Sequence, residues 1–232
     1  HLNLHIPAGQ TCALVGINGA GKTTMVKLLC GLYLPTSGRI LINGVDAATI
    51  PQERLFSLFG VVFQEVEPLA FTIAENVAAT DRGIDRARVE SCLKTAGLWD
   101  KVRSLPKGMD SPMLKVIEED GVILSGGENQ KLMIARALYR QGTRMMVMDE
   151  PTAALDALAE QRIYQEFDSL LRGRTALFIS HRLASTRFCD RIVLLDGGRV
   201  AQQGTHEELV ARPGLYRQMF LTQGKYYQEA QA

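Results

Sequence analysis

The sequence predicts an α/β fold: a mostly parallel sheet with helices on both faces, a small N-terminal antiparallel β part and an inserted helical subdomain. Two observations predict it. Short apolar runs at Thr11–Val15, 60–63, 145–148, Thr175–Ile179 and 191–195 are strand-sized, and they alternate with stretches of helical spacing. Between about Gln64 and Gln141 the strands lapse and only helical spacing recurs.

Taken in order, the chain opens on His1-Leu2-Asn3-Leu4-His5-Ile6, whose alternation reads as a strand already under way, and so as a piece cut from something longer. Thr11–Val15 runs into the glycine-rich Gly16–Gly21 and then a helix over 22–30 closed by Gly31. Pro35, Ser37 and Gly38 turn the chain into a strand over 39–42, which ends at the turn dipeptide Asn43-Gly44. A strand over 60–63 precedes the helical stretches 72–79, 85–96 and 126–140. Strands return at 145–148, Thr175–Ile179, 191–195 and 199–202. A helix over 157–171, with Ile163, Phe167, Leu170 and Leu171 on one face, separates the first two. The expectation is one domain over 1–232, its core from 1–63 and 143–232 and its helical subdomain at about 64–142.

Composition narrows the function classes. The 232 residues are 46% hydrophobic and 22% charged, which is ordinary for a globular protein and excludes disordered, collagen-like and coiled-coil chains. A net charge of +1 argues against a nucleic-acid partner, since such proteins carry a marked basic excess. No run approaches the roughly 18 apolar residues that span a bilayer, and no signal-peptide pattern opens the chain. Cys12, Cys30, Cys92 and Cys189 form no CxxC pair, so they read as free thiols in a reducing compartment.

Three motifs carry chemistry. Gly16-Ile17-Asn18-Gly19-Ala20-Gly21-Lys22-Thr23 matches G-x-x-x-x-G-K-[ST], between a strand and a helix as a P-loop requires. Its backbone N–H groups, from Gly16 and Asn18 through Gly19, Ala20, Gly21 and on to Thr24, suit a polyphosphate. Lys22 would reach the β- and γ-phosphates, and Thr23 would hold Mg2+. Met145-Met146-Val147-Met148-Asp149-Glu150 is an apolar strand ending in two acids. Asp149 suits Mg2+ there, and Glu150 is the candidate general base for an attacking water. Leu124-Ser125-Gly126-Gly127-Glu128-Asn129-Gln130 opens a helix on an S-x-x-E capping box. The box explains Ser125 and Glu128 without a ligand. The paired glycines cost chain entropy that makes sense where a phosphate approaches the backbone.

On these residues the sequence resembles the ATP-binding cassette (ABC) ATPases, a P-loop NTPase family of RecA-like fold. Leu124–Gln130 looks like their LSGGQ signature, with Glu128 where glutamine is usual. Gln64 in Val62-Phe63-Gln64 resembles the Q-loop, Ala154-Leu155-Asp156 the D-loop, and His181 in Ile179-Ser180-His181-Arg182 the switch histidine. The likeness runs to about Gln223.

The resemblance implies an ATPase that works as a head-to-tail dimer, with ATP between the P-loop of one copy and the signature helix of the other. It implies catalytic roles for Glu150, His181 and Gln64, with Mg2+ held by Thr23, Gln64 and Asp149. Ser125, Gly126, Gly127 and Glu128 would face the partner's nucleotide, with the capping box turning Glu128 toward its own helix, and Asp156 would cross the dimer interface. The implied partners are a second ABC ATPase domain, identical or not, and a transmembrane domain, here expected on the same full-length chain; no nucleic acid is among them. The expected place is the cytoplasmic face of a bacterial plasma membrane.

Glu118-Glu119-Asp120-Gly121 resembles the loop with which exporters touch their membrane domains, although it lacks the usual Val-Gly-Glu and equally fits a solvated loop. Asp196-Gly197-Gly198-Arg199-Val200, Gly204-Thr205-His206-Glu207-Glu208-Leu209 and the closing Tyr226-Tyr227 are also exporter-like. The family stacks adenine on an aromatic upstream of the P-loop lysine, yet no Phe, Tyr or Trp precedes Lys22. The chain is therefore expected to bind ATP more weakly than a longer parent, by the roughly 1–3 kcal/mol of base–aromatic stacking. The alternative is a non-transport member of the family acting on ribosomes or DNA. The short interval from Lys22 to Ser125 leaves no coiled coil for the DNA class, and the charge balance does not favour the ribosomal one. Small-molecule kinases share the P-loop but have no use for the signature.

Overall fold

Runs of consecutive buried residues build the central strands, because a strand covered on both faces has no solvent side to alternate with. The computed structural model describes residues 2–63, 67–116, 119–151 and 174–229, with side chains to residue 224. In chain order its strands are β1 (Thr11–Val15), β2 (Leu41–Ile42), β3 (Val45–Asp46), β4 (Phe59–Val62), β5 (Met145–Asp149), β6 (Thr175–Ile179), β7 (Arg191–Asp196) and β8 (Arg199–Gly204). The helices are α1 (Lys22–Leu29), α2 (Gln52–Ser57), α3 (Ile73–Ala78), α4 (Arg86–Thr95), α5 (Trp99–Arg103), α6 (Gly126–Tyr139), α7 (His206–Ala211) and α8 (Leu215–Glu229).

The larger sheet runs β4-β5-β6-β1-β7-β8. β1 pairs in parallel with β6 and β7, β5 pairs in parallel with β6, and β8 returns antiparallel to β7. β1 is buried along its whole length, and Ala176–Ile179 and Ile192–Leu195 flank it. The smaller sheet is the antiparallel hairpin β2-β3. Asn43 and Gly44 turn it with φ of 50° and 83°, the left-handed pair that a two-residue hairpin selects.

Two units divide the chain. The first comprises His1–Phe59, Arg144–Glu150 and Leu171–Ala232, and the second Gly60–Thr143 with Pro151–Leu170. In the second, α3, α4 and α6 bury Ile73, Val77, Val89, Leu93 and Leu132. Asn76 staples that unit together. Its amide donates to the carbonyls of Leu69, Phe71 and Thr72 and its Oδ1 accepts from the Leu69 N–H, while Arg136 donates to both its Oδ1 and its carbonyl.

Residues 2–6 do not form the expected strand. Extended backbone becomes a strand only where its N–H and C=O groups find partners, and no described strand pairs with this segment. Apolar periodicity also passes over α2, α5, α7 and α8. α2 and α5 are too short to show a full helical repeat. The helix expected over 157–171 lies outside the described residues. All four cysteines are free and buried, and burial pushes the Cys12 and Cys30 thiols up to about 12.

Candidate functional site

β1 ends at a backbone that has no room for a side chain. A Cβ on Gly16 would stand 2.5 Å from the Leu195 carbonyl oxygen of β7 and 3.1 Å from the Ala20 Cβ. The loop then doubles back, with the Ala20 N–H donating to the Ile17 carbonyl at 3.2 Å. Gly21 enters α1 from the left-handed region, at φ 97°. Neither a side-chain cap nor an acid in the first turn neutralises that helix start, so its free N–H groups and positive end remain available to an anion. Lys22 is buried, its Nζ donating to the carbonyls of Gly16 at 2.9 Å and Ile17 at 3.2 Å. Asn18, Gly19, Thr23 and Thr24 are exposed, and the space around Gly19 is open. The loop offers amide hydrogens and an ammonium together, which is the chemistry of a phosphate cradle.

Two carboxylates lie where β5 ends, in contrasting settings. Asp149 is 3% exposed. Burial pushes its carboxyl above the usual range; the Thr23 hydroxyl hydrogen bond pulls it back, the Glu150 charge adds to the rise, and the ammoniums of Lys22 and Lys27 oppose it. Its Oδ1 has no hydrogen-bond partner. An orphaned buried carboxylate oxygen beside a hydroxyl is a hard-oxygen donor set, and these residues fit Mg2+. Glu150 sits at φ 49°, unusual for a residue with a side chain, and its N–H donates to the Ile179 carbonyl at 3.0 Å. Its Oε2 lies 3.1 Å from His181 Nδ1, at the loop that follows β6. The parallel register Asp149↔Ile179 brings this acid and this imidazole to one strand end.

The signature segment belongs to the second unit. Ser125 caps α6, its Oγ accepting from the Glu128 N–H at 3.3 Å, while Glu128 Oε2 accepts from the Ser125 N–H at 2.8 Å. Lys101 Nζ approaches Glu128 Oε1 at 3.6 Å. Partial burial pushes the Glu128 carboxyl up, but these bonds outweigh it and hold it below its usual range. Ser125 and Gly126 are exposed, Gly127 partly so. Gln64 and Asp156 lie outside the described residues. Of the acidic loop, Asp120 pairs with Lys107 at 2.9 Å.

Lys27, which acts on Asp149, and the capping boxes of Thr72–Glu75 and Thr205–Glu208 escaped the motif reading. Both boxes carry the T-x-x-E signal in the sequence, and the second would have located α7.

Comparison with known proteins accords with this geometry. The ABC transporter family pattern matches residues 1–153. The chain is 43% identical over 218 residues to the ATP-dependent lipid A-core flippase of Cupriavidus pinatubonensis, covering 93% of this chain and 36% of that protein. It is 37% identical over 230 residues to the flippase of the same name from Chromohalobacter salexigens, covering 99% of this chain and 38% of the relative. A solved bacterial Atm1-family ABC exporter with ATP bound superposes with a TM-score of 0.86 at 39% identity, over 96% of this chain and 38% of that one. The chain thus spans little more than a third of the length of these proteins. Across that span the likeness in sequence and in fold is continuous, and the protein belongs to the ABC transporter family, whose ATPase domain it carries.

Proposed function

We propose that the chain is the motor of an exporter. It binds ATP, hydrolyses it to ADP and phosphate in a head-to-tail pair with a second ABC ATPase domain, and drives a transmembrane domain that moves a substrate across a membrane. The observation that carries this reading is the His181–Glu150 contact of 3.1 Å, one residue beyond the buried Asp149, whose carboxyl feels the Lys22 ammonium.

Phosphoryl transfer needs positioning and charge stabilisation more than covalent chemistry. The amides from Gly16 and Asn18 through Gly19, Ala20 and Gly21 to Thr24 cradle the phosphates. Lys22 exchanges its two carbonyl partners for β- and γ-phosphate oxygens. Thr23 and Asp149, with Gln64, would hold Mg2+, whose charge would offset that of the triphosphate. Glu150 accepts the proton of the attacking water, and His181 steadies Glu150 before nucleotide arrives and the γ-phosphate afterwards. Ser125, Gly126 and Gly127 complete the partner's site and Asp156 crosses between copies, while Glu128 serves its own helix start. The core is assigned to 1–63 and 143–232, and the helical subdomain to about 64–142.

No helix among the described residues is long and apolar enough to cross a membrane, so the transmembrane partner is sought outside them, on the same full-length polypeptide. The flippase and exporter relatives support that arrangement, at the cytoplasmic face of a bacterial plasma membrane. In the presence of ATP and Mg2+, Glu150→Gln is expected to retain ATP and accumulate as a dimer in size-exclusion chromatography. Hydrolysis at the wild-type rate in that variant overturns the assignment.

A further inference from the structure

We propose that Gln223 is a positioning residue for hydrolysis: through it the C-terminal helix α8 sets the backbone that aims His181 at Glu150. The single Gln223 amide makes two bonds to the loop after β6. Its Nε2 donates to the His181 carbonyl at 2.7 Å, and its Oε1 accepts from the Leu183 N–H at 2.9 Å. These groups bracket Arg182, so the two peptide planes on either side of the Arg182 Cα are held from one side chain, and the first of them is the plane through which the backbone leaves the His181 Cα. From within the loop, Ser180 Oγ accepts from the Arg182 N–H at 3.0 Å and lies 3.1 Å from Ser185 Oγ. With this frame in place, the imidazole meets Glu150.

The clamp is itself well anchored. Tyr216, Phe220 and Gln223 follow at helical spacing along one face of α8. Tyr216 is fully buried, its hydroxyl 2.8 Å from His206 Nδ1 and its N–H donating to Gln202 Oε1 of β8 at 2.8 Å. The Phe220 ring stacks on that of Tyr216, and the His206 ring packs edge-on against both. The face that fixes α8 to β8 and α7 therefore continues to the His181 loop. A change in the seating of α8 is delivered to His181 by one side chain. α8 lies outside every motif that binds nucleotide, so this gives the helix a part in turnover.

The inference rests on the role proposed for His181, and the test separates the two. Single-turnover and steady-state hydrolysis are measured for Gln223→Ala and Gln223→Glu, each alone and combined with His181→Ala. The Glu variant keeps an acceptor for the Leu183 N–H but loses the donor to the His181 carbonyl. Both are expected to lower kcat on the order of tenfold while KM for ATP stays within about twofold, and to cost nothing further once His181 is gone. An equal loss in both backgrounds, an unchanged kcat, or an effect confined to KM or to melting temperature overturns the proposal. If His181→Ala itself turns over at the wild-type rate, the assignment of His181 falls. Amide exchange then decides for Gln223: the Ala variant must speed exchange at Leu183 and leave β6 unchanged, and unaltered Leu183 exchange refutes the clamp.

Discussion

Substituting alanine at Gly16 and at Gly19 separates what the phosphate loop needs in order to fold from what it needs in order to bind. Both glycines have positive φ, 157° and 80°. A Cβ at Gly16 meets the Leu195 carbonyl oxygen at 2.5 Å, and Leu195 is backbone of a buried strand that cannot yield as a flexible side chain would. A Cβ at Gly19 meets nothing within 4 Å. Gly19→Ala therefore carries only the left-handed penalty, roughly 1–2 kcal/mol. Gly16→Ala adds an overpacking cost of about 1–3 kcal/mol, for a total of about 2–5 kcal/mol. At roughly 2–4 °C per kcal/mol for a chain of this size, Gly16→Ala should melt about 4–20 °C lower and Gly19→Ala about 2–8 °C lower. Circular-dichroism melts supply the comparison, and titration of a fluorescent ATP analogue supplies the second axis. Gly19→Ala should lose nucleotide affinity out of proportion to its small loss of stability, because its new methyl group occupies the open space above the loop. Equal melting of Gly16→Ala and wild type, or a larger drop for Gly19→Ala, would refute the reasoning.

The remaining predictions concern two buried polar residues. Unfolded, Asp149 ionises near the ordinary 3.8, whereas burial holds the folded group higher, so stability falls as pH rises from the ordinary to the raised value. Asp149→Asn is therefore expected to melt higher than wild type at neutral pH without nucleotide, to lose that slope, and to lose Mg2+-dependent ATP binding; identical melting curves across pH would exclude the sign. Asn76→Ala strips the staple of α3 and α6 and leaves Arg136 without its side-chain acceptor, at a cost of about 2–4 kcal/mol. Urea unfolding measures it, and a loss under about 0.5 kcal/mol would show that water replaces those bonds freely.

Where structure follows from neighbours in sequence, the residues announced it. β1 and β6 occupy the expected Thr11–Val15 and Thr175–Ile179, since an uninterrupted apolar run needs only two covered faces. α6 starts at Gly126, where the Ser125–Glu128 box says it should. The opening alternation misled because alternation describes a face and not a partner. Gln223 was invisible for the converse reason. Its two bonds reach back 40 and 42 positions to backbone groups, which have no residue-type signature, and one glutamine on a polar helix looks like any solvated side chain.

Glu150 shows why local rules fail at this strand end. An isolated Asp-Glu after a strand reads as a solvated turn, and at φ 49° glycine would be the cheaper residue. The conformation persists because it is held on two sides, by the Ile179 carbonyl on its N–H and by His181 on its carboxylate. Without the turn, the next side chain of β5 would follow the strand's alternation to the face opposite Asp149. With it, a buried acid poised toward Thr23 and a partly exposed acid poised toward His181 share one strand end. The backbone strain is what keeps two adjacent carboxylates at one strand end, where burial of the first and the imidazole beside the second give them the different environments that their two proposed tasks require.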